Sequence, residues 1–132
     1  MANDKSIMEE LYTDTGGFDH DRVVSVLKHI LNVQRDEHMV FFKPELALKA
    51  EEKILAFALV KKLLKMEGAE QSSSISGKEV KKQTDVKEGT VDFTMKKLKE
   101  DGFLAGSGSN YEIPAHRVST ILDRLEKVAN GK

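Results

Sequence analysis

Four histidines, at 20, 29, 38 and 116, carry the imidazoles of this chain. Imidazole is the side chain best suited to acid–base or metal chemistry near neutral pH. Two of them sit among carboxylates, in Asp19-His20-Asp21 and Asp36-Glu37-His38. Mixed nitrogen and oxygen donors this close suggest metal ligands, but neither cluster has the H-E-x-x-H or Cys/His spacing that turns donors toward one ion. A helix cap and solvent-exposed loop positions account for them better, so no metal is expected. Ser72-Ser-Ser74 lies in a small polar loop and lacks the strand–turn–helix setting of a nucleophile elbow. Gly106-Ser-Gly108 belongs to a hairpin tip rather than to a phosphate-cradling loop. Cysteine is absent, which removes thiol catalysis and disulfides and is compatible with the cytoplasm. Neither an enzyme nor a bound cofactor is expected.

The other reactive chemistry is cationic. Between Lys78 and Gly102 lie seven lysines (78, 81, 82, 87, 96, 97, 99) against six acids (79, 85, 88, 92, 100, 101), a balance of only +1. The plain reading of such a run is a solvated helix face. No arginine occurs in the segment, so the commonest guanine-reading side chain is missing. The whole chain carries a net charge of −1, which excludes a uniformly basic coat but not a local basic patch. Phe93 stands out among these charges. With Val91 taken as the core direction, Phe93 lies roughly 200° around a helix, away from Met95 and Leu98. A surface phenylalanine there would meet thymine methyls or a partner protein. The simpler expectation is that the helix is buried from two sides and Phe93 packs on another helix.

Positioning these residues requires a folded scaffold. The 132 residues are enough for one domain with a real core, and 39% apolar with 33% charged residues suits a helix-rich chain rather than a disordered one. No run approaches the roughly 20 apolar residues needed to cross a membrane, and the polar start MANDKSIMEE is not that of a secretory signal.

Lys5 to Tyr12 reads as a short helix with Ile7, Met8 and Leu11 on one side, and Thr13 to Gly17 as a turn. Asp19 or Asp21 caps a helix expected to run to about Val33, with Val23, Val24, Leu27, Ile30 and Leu31 as its stripe. Gln34 to His38 is a loop, and Met39 to Phe42 a strand or extended connector. Pro44 suits the first turn of a helix expected from about Glu45 to Met66. Its middle, Ile54 to Val60, is apolar on every side and must be covered on more than one face. Gly68 is its stop.

Ser76 and Glu79 have the spacing of a capping box for a helix over 77–83. Thr84-Asp85 makes a turn into a helix from about Lys87 to Glu100, with Val91, Met95 and Leu98 inward. Phe103 to Ala105 and Tyr111 to Ile113 are short strands around a Gly/Ser/Asn tip. Ala115 to Ala129 closes the chain as an amphipathic helix.

The succession helix, turn, helix, hairpin over Ser76 to Pro114 resembles that of small winged helix-turn-helix transcription regulators. The Thr90-Val91-Asp92 start, the Lys97 to Leu104 exit and the Tyr111 to Pro114 return carry the resemblance, which covers roughly Glu45 to Pro114. It implies a mainly α fold of the α+β kind, with a small β-hairpin wing and flanking terminal helices: a helical extension (1–43), the winged unit (44–114) and a C-terminal helix (115–132).

It also implies a cytoplasmic regulator of transcription that binds double-stranded DNA. Lys78, Lys81, Lys82 and Lys87 would contact phosphate, where lysine adds affinity through counterion release but reads no sequence. Thr90, Phe93, Lys96 and Lys97 would face the groove, with Ser107, Ser109 and Asn110 at the wing tip. Val118, Ile121, Leu122, Leu125 and Val128 form a stripe that either joins two copies as a homodimer or packs within the chain. Two further readings stand beside this one. One is a winged-helix protein–protein module that does not touch nucleic acid. The other adds a small-molecule pocket between the N-terminal and central helices, with Met39 to Phe42 as its wall, that tunes DNA binding.

Overall fold

Ile54, Leu55, Ala56, Phe57 and Leu59 occupy consecutive faces of one helix, and all are withdrawn from solvent. The computed structural model of the chain, which describes residues 19–70, 72–107 and 109–130, surrounds this helix with the other elements. In order these are α1 (His20–Leu27), β1 (Leu31–Val33), β2 (Val40–Phe42), α2 (Ala50–Met66), α3 (Gly77–Gln83), α4 (Glu88–Glu100), β3 (Ala105–Ser107), β4 (Asn110–Glu112), a 3-10 turn (Ala115–Arg117) and α5 (Val118–Asn130). The fold is α+β. Among the described residues it has two small antiparallel hairpins, β1–β2 and β3–β4. No described helix is long and apolar enough to cross a membrane. The expected helix over Lys5 to Tyr12, and the turn after it, lie outside the described residues.

α1 begins where the Asp19 carboxylate accepts the Arg22 backbone N–H (3.1 Å). It stops at Leu27 rather than Val33. The N–H groups of His29 and Ile30 turn back to Val26 and Leu27 (3.2 and 2.8 Å), and the chain enters β1. Ile30 and Leu31 are buried as expected, but from a turn and a strand. β1 pairs with β2 in the register Leu31↔Phe42, Asn32↔Phe41, Val33↔Val40. A helix continued to Val33 would have left the Val40–Phe42 backbone without a ladder partner, and buried polar backbone must be paired.

α2 also starts later than expected. Pro44 lies in a turn between β2 and α2. The Glu52 carboxylate accepts the Lys49 N–H (2.9 Å), and this cap sets the start at Ala50. Its end is as read. Gly68 adopts φ +80°, with its N–H on Lys65 (3.0 Å) and that of Ala69 on Leu64 (2.9 Å), the two bonds of a Schellman stop.

α4, α1 and α5 pack on α2 from different sides, and α5 also packs on α1. One continuous core results, so the three segments read from the sequence share their interior. Val118, Ile121, Leu122 and Leu125 are buried in it, and Val128 is partly covered. The C-terminal stripe therefore takes the intramolecular of its two alternatives.

Ion pairs fasten the periphery. Lys61, on α2 and 5% exposed, is held by Glu79 (2.7 Å) and Glu70 (3.3 Å), and His38 Nδ1 meets Glu70 (3.2 Å). Burial alone would lower the Lys61 pKa, but hydrogen bonding to Glu79 and Glu70 more than reverses this and leaves it raised. Glu51 joins three helices through Lys97 (2.8 Å) and Arg124 (2.9 Å). Glu112 on β4 holds Lys62 (2.9 Å) and accepts from Ser73.

Two outcomes follow for stability. Glu79→Ala removes both a helix cap and the nearest counter-charge of a buried ammonium, and should cost about 2–3 kcal/mol in urea denaturation. Lys61→Met leaves Glu79 and Glu70 without their counter-charge, but both carboxylates are partly solvated and no buried charge remains, so it should cost less than Glu79→Ala; an equal loss would mean that the pair itself holds the fold. Glu51, Glu70 and Glu112 all titrate below their ordinary value of 4.5. For Glu51 the cause is hydrogen bonding from Lys97 and Arg124. For Glu70 and Glu112 burial pushes upward, and hydrogen bonds from His38 and Lys61, and from Ser73 and Lys62, outweigh it. A carboxyl with a lowered folded pKa stabilises the fold above its ordinary range and loses that contribution as pH falls through it. Thermal midpoints should thus fall as pH drops below about 4.5, and Glu51→Gln should shallow that decline.

Candidate nucleic-acid interface

α3 forms as the sequence indicates. The Glu79 N–H donates to Ser76 Oγ (3.1 Å) and the Ser76 N–H to Glu79 Oε1 (3.2 Å). Thr84 ends it, donating its hydroxyl to the Val80 carbonyl (2.7 Å) and accepting the Val86 N–H (3.3 Å). Val86 is buried, so the turn between α3 and α4 is pinned at its centre. α4 then buries Val91, Thr94, Met95 and Leu98. Thr94 completes the inner face and was not part of the expected stripe.

The hairpin lies closer to its tip than expected. The Phe103 and Leu104 N–H groups both reach the Leu98 carbonyl (2.9 and 3.3 Å) and are consumed in ending α4. The ladder starts only at Ala105, with pairs Ala105↔Glu112, Gly106↔Tyr111 and Ser107↔Asn110. At Gly106 any Cβ would collide with the Asn110 carbonyl, so the crossing needs glycine. Ile75, just before α3, exchanges both backbone hydrogen bonds with Tyr111 (2.6 and 2.7 Å) and adds a third extended piece to the hairpin.

The candidate contact residues sort into two groups. Lys78 and Lys82 are exposed on α3, Lys87 is exposed at the α4 N-cap, and Lys96 is exposed on α4. None of these four has an ion pair among the described residues. Lys81 instead pairs with Asp92 (3.3 Å) and Lys97 with Glu51 (2.8 Å), the latter bond raising the Lys97 pKa. Thr90 is half-buried, Ser109 and Asn110 are exposed, and Ser107 lies in β3.

Phe93 is 72% exposed. The expectation of burial against a second helix is wrong here, because α2 and α3 both pack on α4 but leave the Phe93 face uncovered.

An open groove of about 680 Å³ runs between α4 and the hairpin, lined by Asp92, Lys96, Lys99, Glu100, Ser109 and Tyr111 among others. The Lys99 ammonium sits 5.8 Å from the Tyr111 ring centre, a cation–π contact. Lys99 was not among the sequence-derived contacts, although it follows Lys96 by three residues and so shares its face. The groove mixes both signs of charge.

The histidine clusters do not assemble. His20 lies by Asp21 (3.4 Å), His38 by Glu70, and no group of three His, Cys, Asp or Glu that could hold a metal ion occurs among the described residues. No protein-family model, curated protein or solved structure compared with this chain matches it.

Phe93→Ala should change stability by no more than about 0.5 kcal/mol, whereas Met95→Ala, two residues on and 2% exposed, should cost about 2–4 kcal/mol. Denaturant titrations of the two variants check this, and a large loss for Phe93→Ala would place that ring in the core.

Proposed function

We propose that this chain is a DNA-binding transcription regulator of the winged helix-turn-helix type, acting in the cytoplasm and without a cofactor. α3 and α4 form the helix-turn-helix, and the β3–β4 hairpin with the Ile75 strand forms the wing. The observation that carries the reading is the outward face of α4, where Phe93, Lys96 and half-buried Thr90 stand uncovered while the opposite face is core. A helix so presented, with a hairpin beside it, has the shape that enters a major groove. Lys78, Lys82, Lys87 and Lys96, with Lys99 beside them in the groove, are exposed and have no ion pair among the described residues, so they can take phosphate. Lys81 and Lys97 are engaged within the chain, so their share is smaller. Lysines without any arginine on these helices favour affinity over base reading.

A homodimer is part of the proposal, because two copies on one duplex add their phosphate contacts. With the α5 stripe buried within the chain, the copies would meet through another surface.

One observation favours a second reading. Phe93 beside Asp92, with Glu88 and Glu100 on the same helix, also fits a protein partner rather than a polyanion. Salt titration of duplex DNA binding separates the two. Lys87→Ala with Lys96→Ala should weaken binding and reduce the slope of log affinity against log salt by about 2, since each lost phosphate contact removes about 0.9. Lys97→Ala should change the slope less. If the double variant binds as the parent does, α4 is not the DNA face; if the parent shows no salt-dependent binding, the protein-partner reading holds.

A further inference from the structure

The groove between α1, β1 and the last turns of α2, about 530 Å³, is lined mainly by apolar side chains and is walled by Leu31–Val33 rather than by the Met39–Phe42 stretch expected for an effector pocket. The groove between α4 and the β3–β4 hairpin, about 680 Å³, is chemically different. It gathers an aromatic ring (Tyr111), two cations (Lys96, Lys99), two carboxylates (Asp92, Glu100) and the Ser109 hydroxyl. Tyr111 is fixed through its backbone, which exchanges hydrogen bonds of 2.6 and 2.7 Å with Ile75. Its cross-strand neighbour is Gly106, so no side chain from β3 stands opposite to cover the ring. The residue is half-buried, and the Lys99 ammonium lies 5.8 Å from the ring centre. Lys96, Lys99 and Glu100 are exposed and have no ion pair among the described residues, whereas Asp92 is held by Lys81 (3.3 Å).

We propose that this groove takes one unpaired base of a bound DNA strand, stacked on Tyr111; this rests on the DNA reading of the same face. A base and an ammonium compete for one ring face, and Lys99 occupies it only while no base is there. When a base stacks, the Lys99 ammonium is released to the phosphates that flank it, together with Lys96 on the same face of α4. Glu100 then stands as an acceptor at the base edge. A carboxylate accepts from an exocyclic amino group such as that of cytosine. Mixed charge weakens a plain phosphate track. It suits a single nucleotide, which needs cations for its phosphates and a carboxylate for the amino edge of its base.

The full-length protein, Tyr111→Phe and Tyr111→Leu are titrated by fluorescence anisotropy against duplexes of one sequence at low salt: fully paired, with a single bulged cytosine, and with an abasic residue in place of that cytosine. The bulged cytosine should raise the affinity of the parent at least about tenfold over the paired duplex, and the abasic bulge should not. Tyr111→Phe should keep the gain and Tyr111→Leu should lose it, with thermal midpoints confirming that both are folded. A second readout leaves the groove intact. The chain has two tyrosines and no tryptophan, so Tyr12→Phe makes Tyr111 the one remaining tyrosine emitter. Its emission should be quenched by the cytosine bulge and not by the abasic one. Equal affinity for all the duplexes, with salt-dependent binding retained, would overturn the proposal and leave the DNA reading standing. An abasic bulge bound as tightly as the cytosine bulge, or a gain that survives Tyr111→Leu, would do the same. Failure to bind any duplex would overturn both.

Discussion

Everything in this fold answers to one constraint, that the middle of α2 has no polar face. From Ile54 to Leu59 each successive side chain points in a new direction, and each is buried. Fully burying a leucine, isoleucine or phenylalanine is worth about 1.5–3 kcal/mol, so an uncovered side of this helix would forfeit much of a small domain's stability. Cover must therefore come from elements distant in sequence. α4 supplies one side, and α1 with α5 supplies others. The C-terminal stripe is drawn into the monomer for this reason, since α2 and α1 already offer it an apolar surface.

The same constraint decides how charge is spent. α2 carries Glu51, Glu52, Lys61 and Lys62 on flanks where neighbours close over it. Each is met by a partner: Lys97 and Arg124 at Glu51, Arg124 also at Glu52, Glu79 and Glu70 at Lys61, Glu112 at Lys62. These pairs orient α3, α4, α5 and the hairpin on the central helix, and they withdraw Lys97 from the outer surface chemistry. The lysines left over are exposed ones on α3 and α4 that no described carboxylate engages. The outward face of α4 is thus a residue of packing, with what the core does not use presented to solvent beside a hairpin.

Local codes in the chain were legible where they close over a few residues. Ser76 with Glu79, Gly68 after Met66, and the Val91–Met95–Leu98 stripe each satisfy their requirements within one or two turns, and the elements form as read. The first hairpin was not legible, because Ile30 and Leu31 suit a helical stripe as well as a turn and strand. Only pairing with Val40–Phe42 separates the two. The start of α2 was misread for a similar reason: Pro44 is as acceptable in a turn as at a helix start, and the cap from Glu52 decides. At the candidate interface the identities of the lysines were legible and their availability was not, since Asp92 and Glu51 lie 11 and 46 residues from Lys81 and Lys97.

By itself, the sequence determined that the chain is helix-rich, where α3, α4 and α5 lie, that a hairpin follows α4, and that α2 must be central. These follow from periodicity, caps and the absence of a polar face, all short-range properties. Tertiary structure alone decided that Phe93 faces solvent, that the α5 stripe is core, and which lysines are free. Those outcomes depend on which distant surface packs against a given face, and a helix's own sequence fixes the direction of a side chain without saying what, if anything, will stand opposite it.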